Sequence, residues 1–147
     1  MRRQRTIAAA VLVALGGAPL AACGPETAKA HEVRPATLVP IPGSPLHRVV
    51  LTPEAVGRLA IATTPVLGVA GSGGLLQIPE TAVVYDPEGR PWTYTVPAPH
   101  TYLRVAVVVD RTLDGQVLLR SGPSAGTPVV DVAAPELLGT EYGVGEE

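Results

Sequence analysis

The chain has 147 residues, of which 11 are Lys or Arg and 13 are Asp or Glu, giving a formal net charge of −2. Beyond Arg2, Arg3 and Arg5 near its start, an acidic balance with no basic cluster offers no electrostatic basis for binding nucleic acid, nor for attraction to an anionic lipid surface. The single cysteine excludes a disulfide within the chain, so packing alone must hold the fold.

The first 22 residues read as an export signal. Arg2, Arg3 and Arg5 form a basic n-region, and residues 7–15 form an apolar h-region too short to span a bilayer, which takes ~20 apolar residues. Leu20-Ala21-Ala22-Cys23 follows directly and resembles the bacterial lipobox, which implies cleavage before Cys23 and its acylation. Arg2-Arg3 lacks the apolar residues that should follow a twin-arginine signal, so export by the general route is expected. Cleavage removes three basic residues and no acidic one, which leaves the mature chain more acidic still. A lipid on Cys23 would then hold the protein at the extracytoplasmic face of the cell membrane.

Residues 23–47 read as a tether. Pro25, Pro35, Pro40, Pro42 and Pro45 favour an extended, partly polyproline conformation with a reach of ~3.1 Å per residue. His31, His47 and His100 are the only histidines, and no pair of them has metal-ligand spacing.

A β-rich domain is expected over residues 48–143, with a frayed tail at 144–147. Residues 48–51, RVVL, form a short strand. Thr52 then caps a helix that has Pro53 at its first position and Glu54 in its first turn. Val56, Leu59 and Ala60 share one side of that helix. Residues 61–66 are extended, and residues 68–74, GVAGSGG, form a flexible glycine-rich linker.

Residues 78–96, IPETAVVYDPEGRPWTYTV, read as two strands joined by a tight turn. Pro87 presets φ for a type I turn, and Gly89 can take the left-handed position after it. Trp92, Tyr94 and Val96 alternate with Thr93 and Thr95, so large rings occupy one face and hydroxyls the other. Residues 101–110 form one long strand with Leu103, Val105, Val107 and Val109 on one face, while Arg104 and Asp110 mark the other. Asp114-Gly115 is a two-residue hairpin signal, followed by strands at 116–120 and 127–132. Pro135 starts a short helix through Leu137 and Leu138. The fold expected is mainly β, a small antiparallel barrel or sandwich with one or two short helices.

VVLTPEAVGRLAIATTPV, from Val49, resembles the N-terminal segment of periplasmic adaptor subunits (membrane fusion proteins) of resistance-nodulation-division efflux systems. IPETAVVYDPEGRPWTYTV resembles the family's segment after its β-barrel, and the strand from Tyr102, the Asp114-Gly115 turn and AAPELLGTEYG follow in the family's order. The resemblance covers residues 48–143. In a full adaptor, a lipoyl-like domain, a helical hairpin and most of a barrel separate the two halves. Here residues 68–74 alone lie between them. The resemblance therefore implies a reduced module similar to the membrane-proximal domain, which the family builds from both ends of its chain. It carries no role in bridging two membranes, because no heptad pattern is present.

Three function classes follow. The leading one is a lipid-anchored, non-catalytic accessory module of an efflux or transport system, with an inner-membrane transporter or a full-length adaptor as partner. The second is a small-molecule or glycan-binding lipoprotein that stacks its ligand on Trp92, Tyr94 and Tyr102. Core packing is the preferred reading of those rings, since the chain has no Phe. An enzyme is the third. Ser72, Ser121 and Ser124 lack a paired base, Asp86 with Glu88 and Asp110 with Asp114 are acids at turns, and no P-loop, dinucleotide fingerprint or zinc spacing occurs. No cofactor or metal is implied; Met1, the only methionine, cannot form the methionine-rich metal site of some adaptor relatives.

Overall fold

The computed structural model describes residues 34–143, so the expected signal segment, Cys23, His31 and the tail at 144–147 lie outside the described residues. The elements run β1 (Ala36–Pro40), β2 (His47–Leu51), α1 (Pro53–Leu59), β3 (Ala62–Pro65), β4 (Leu67–Gly68) and β5 (Leu76–Pro79), then a 3-10 turn (Glu80–Ala82). There follow β6 (Val84–Tyr85), β7 (Pro91–Ala98), β8 (Thr101–Ala106), β9 (Val108–Leu113), β10 (Gln116–Ser121), β11 (Pro128–Val132) and α2 (Ala134–Glu141). A seven-stranded sheet has the order β1-β2-β8-β7-β11-β3, with β6 also on β7, and a four-stranded sheet has the order β4-β5-β10-β9. Every pairing is antiparallel.

The larger sheet is apolar on both faces. Val129 and Val130 are consecutive in β11, point to opposite faces and are both fully buried. Val130 packs with Val49, Leu51, Val84, Tyr94 and Tyr102 of the same sheet against Ala55 of α1 and Ala134 and Leu137 of α2. Val129 packs on the other side with Val66, Ile78, Ala82, Val107, Val117 and Leu119, most of which belong to or flank the smaller sheet. Helices therefore cover one face and the second sheet covers the other.

The chain passes from the larger sheet to the smaller at two bends, each occupied by one buried valine. Val66 lies between β3 and β4, and Val107 between β8 and β9, at 1% and 4% exposure. The run expected as one strand over 101–110 is thus two strands in different sheets. Val107 donates its N–H to Pro91 O at 3.2 Å, which anchors the bend to the start of β7. Gly122 lies against the same bend: a Cβ there would meet Val107 Cγ1 at 3.3 Å and Leu119 Cδ1 at 3.2 Å, so a side chain would require both neighbours to give by a few tenths of an ångström.

Local signals produce the expected elements. The Thr52 hydroxyl accepts the Ala55 N–H at 3.2 Å, and Pro53 stands at the first helical positions. Asp114 and Gly115 both take positive φ, at 51° and 72°, as a type I′ hairpin requires, and pair Leu113 with Gln116 across it. Gly89 has φ 76°, and its N–H reaches Asp86 O at 2.8 Å.

Four expectations are corrected. The tether expected over residues 23–47 does not hold for its described part, because β1 pairs with β2 over five residues. The linker at 68–74 is a hairpin loop: β4 pairs with β5, Val69 N–H donates to Leu75 O at 2.9 Å, and Ser72 bonds to both Val69 O and Leu75 N. The run expected as one strand over 101–110 is broken at Val107, and the hydroxyl face of β7 is covered, with Thr93 fully buried. The fold is mainly β as expected, with two sheets and two short helices, but neither sheet closes into a barrel.

The prolines of the two outer strands are placed as edge strands allow. Closing the larger sheet would require β1 to pair with β3. In β1 the bonds Thr52 N to Pro35 O and Ile41 N to Leu46 O show that the odd-numbered residues face β2. Pro40 therefore stands in the outward-facing set, where it has no N–H to offer. On β3 the bond Val66 N to Thr127 O places Pro65 outward by the same alternation, opposite Pro128 in the register. Both outer strands thus end in proline, as edge strands commonly do.

Candidate functional site

The densest polar constellation forms where β7 and β8 meet the end of α2. The register pairs Tyr94 with Arg104 and Trp92 with Ala106, so Trp92, Tyr94 and Arg104 share the helix-covered face. Alternation with the buried Tyr102 carries Arg104 into this face, where it is 7% exposed. The sequence pattern assigned Arg104 to the more polar side of its strand. In the structure that side is the buried one.

The Arg104 guanidinium is held by three residues. It lies 4.6 Å from the centroid of Trp92 and 5.3 Å from that of Tyr142. Nη1 donates to the Tyr142 hydroxyl at 3.0 Å, and Nη2 stands 3.3 Å from Glu141 Oε1. The Tyr94 hydroxyl donates to the other Glu141 oxygen, Oε2, at 2.6 Å. Only 8% of the Arg104 side chain and 4% of the Glu141 side chain are exposed, so neither charge is solvated and each depends on the other. Glu141 closes α2, where the helix dipole is negative and a carboxylate is disfavoured. Arg104 offsets that cost and so fixes the end of the helix to the sheet.

A second cluster adjoins the first across the indole of Trp92. The Asp86 carboxylate accepts from Glu88 N at 3.1 Å, Arg90 N at 2.8 Å, Arg90 Nε at 2.6 Å and Trp92 Nε1 at 2.9 Å. Burial pushes its pKa up, but the bonds from the Arg90 backbone, the Trp92 indole and the Arg90 guanidinium outweigh burial and hold it at about 2. In the first cluster, burial works against the charge on Arg104, yet the Tyr142 hydroxyl and Glu141 raise its pKa above the usual guanidinium value. Burial, followed by Glu141, pushes the Tyr94 phenol well above its ordinary range. Each group is thus locked in one protonation state, which suits a structural clamp and not proton transfer near neutrality.

The aromatic face expected of Trp92, Tyr94 and Tyr102 does not stand open. Tyr94 and Tyr102 are 0% and 3% exposed in the helix-side core, and Trp92 is half-buried between Arg90 and Arg104. The surface-stacking reading loses two of its three rings. Ser72 serves its hairpin loop, Asp110 pairs with Arg111 and Arg120 at 2.7 Å each, and His100 sits in a turn at φ 54°. Among the described residues no group of His, Cys, Asp and Glu is placed to hold a metal ion. Arg104 and Glu141 were missed in the sequence. The available signal was a charged residue alternating with tyrosine in a strand of valines, and a glutamate ending an apolar helix.

No protein-family model matches the chain, and no curated protein sequence is significantly similar to it.

Two measurements test this arrangement. Arg104→Ala should lower stability by ~3–5 kcal/mol, because it leaves Glu141 buried and unpaired, while Arg104→Met with Glu141→Gln should recover much of that loss. Urea unfolding of the single and double variants checks this, and an Arg104→Ala cost near zero would contradict the clamp. The second concerns acid. The Asp86 pKa is depressed in the fold, so its contribution is complete above its ordinary value of 3.8 and is lost as pH falls from there through about 2. Asp86→Asn should begin less stable at neutral pH and show a shallower loss across that interval.

Proposed function

We propose that the protein is a lipoprotein, acylated at Cys23 and held at the extracytoplasmic face of the cell membrane, whose β-rich unit is a non-catalytic accessory module of a transport system. The anchoring part rests on Leu20-Ala21-Ala22-Cys23 placed directly after a basic and then an apolar segment. Among the described residues no helix is long and apolar enough to cross a membrane.

The adaptor-like part rests on one observation, the interleaving of the two halves that flank residues 68–74. Strand β2 of the first half pairs with β8 of the second, β3 pairs with β11, and β4 pairs with β5. Each of the two sheets takes strands from both halves. A domain built jointly by two distant parts of a chain has this property, and the short loop joining β4 to β5 is the point where a long insertion could be removed without breaking a pairing. This supports the reading of a reduced module similar to an adaptor's membrane-proximal domain. The commitment of Asp86, Arg90, Arg104 and Glu141 to one another supports a packing role for these charges in place of catalysis.

Fractionation of cells that express Cys23→Ala tests the proposal. The variant should leave the membrane fraction or remain unprocessed, while the natural chain stays membrane-bound and co-purifies in mild detergent with a multi-span membrane protein. Normal cleavage with undiminished membrane retention in the variant would contradict the anchor. A natural chain that leaves the membrane without any integral protein partner would contradict the accessory role.

A further inference from the structure

A groove of about 340 Å³ lies among the start of β1, the end of β2, α1 and the last turn of α2. Its apolar lining includes Ala36, Leu51, Ala55 and Leu59, and its polar lining is Arg58 and Thr140. Leu51 and Ala55 belong to the helix-side core, so the floor is fixed by the packing beneath it. Arg58, in the last turn of α1, is exposed and has no carboxylate within ion-pair distance among the described residues. By contrast Arg90, Arg104, Arg111 and Arg120 each rest on an acid. The Thr140 hydroxyl donates its proton to Glu136 O at 2.9 Å and has none left for an anion.

We infer that this groove binds one single-chain anionic amphiphile, its alkyl body against Leu51, Ala55 and Leu59 and its carboxylate on Arg58. The volume falls in the range of small-ligand sites, which are mostly apolar with a few polar groups that set orientation. A polar sugar or nucleotide would find too few donors here. A neutral hydrocarbon would leave the one cation of the lining unused. Arg58 also complements the negative end of α1, a role it keeps whether or not a ligand is present. The site is independent of how the protein is anchored.

The test uses the full chain as purified, with whichever N-terminus the cell leaves on it. It is photolabelled with decanoate bearing a terminal diazirine, and the labelled residues are mapped by mass spectrometry. Label should fall on the segments containing Ala36, Leu51 and Leu59 and be displaced by unlabelled decanoate. Arg58→Gln should reduce labelling roughly tenfold, the scale of a lost charge-assisted hydrogen bond, with only a small fall in melting temperature from the lost complement to the end of α1. The corresponding decanol probe should label both proteins equally and less than decanoate labels the natural chain. Absence of label, label confined to other surfaces, or undiminished labelling of Arg58→Gln would overturn the assignment.

Discussion

Two fully buried valines in succession, Val129 and Val130, state the constraint from which the rest of this structure follows. Consecutive residues of a strand point to opposite faces, so β11 can satisfy both only inside a sheet covered on each side. One cover is made by the short helices α1 and α2, the other by the four-stranded sheet. The chain must cross between the two sheets, and Val66 and Val107 fill the two crossings that lead from the larger to the smaller. The edges left over end in Pro40 and Pro65, each of which removes one donor from the row offered to another chain. The architecture is thus a layered solution to one over-apolar sheet.

The same covering explains the unusual placement of charge. Once Tyr102 and Tyr94 point towards the helices, Arg104 must enter the same layer by alternation and register. A lone buried guanidinium would cost several kcal/mol, and Glu141, Tyr142 and the face of Trp92 offset that cost. A well-packed apolar substitute could be as stable. What the ion pair contributes is position, since Glu141 can reach Arg104 only when α2 lies in one place along the sheet. The apolar groove beside α1 depends on that position too, because Thr140 of α2 lines it.

What was legible in the sequence was local. The Thr52 cap, the Gly89 turn and the Asp114-Gly115 hairpin each depend on a few adjacent residues, and each is formed. The strand at Ala36–Pro40 was not legible, because its flanking prolines read as a tether until β2 is present to pair with it. The break at Val107 was hidden inside LRVAVVVD, a run equally suited to one long strand or two, and only the packing of two sheets distinguishes them. The aromatic face was legible as a pattern but ambiguous as an environment, since alternation shows which side chains share a face and not what covers it. Arg104 lay furthest from sequence reasoning. Its network is completed by residues of α2, and Tyr94 and Glu141 are 47 positions apart.

If one doubly covered sheet organises the chain, its two covers cannot be lost separately. Urea unfolding followed at once by Trp92 fluorescence, which reports the helix side, and by hydrogen exchange of the Ile78, Val117 and Leu119 amides, which reports the second sheet, tests this most directly. The account predicts coincident transitions with one midpoint. Loss of protection in the second sheet while Trp92 keeps its native emission, or the reverse order, would contradict it.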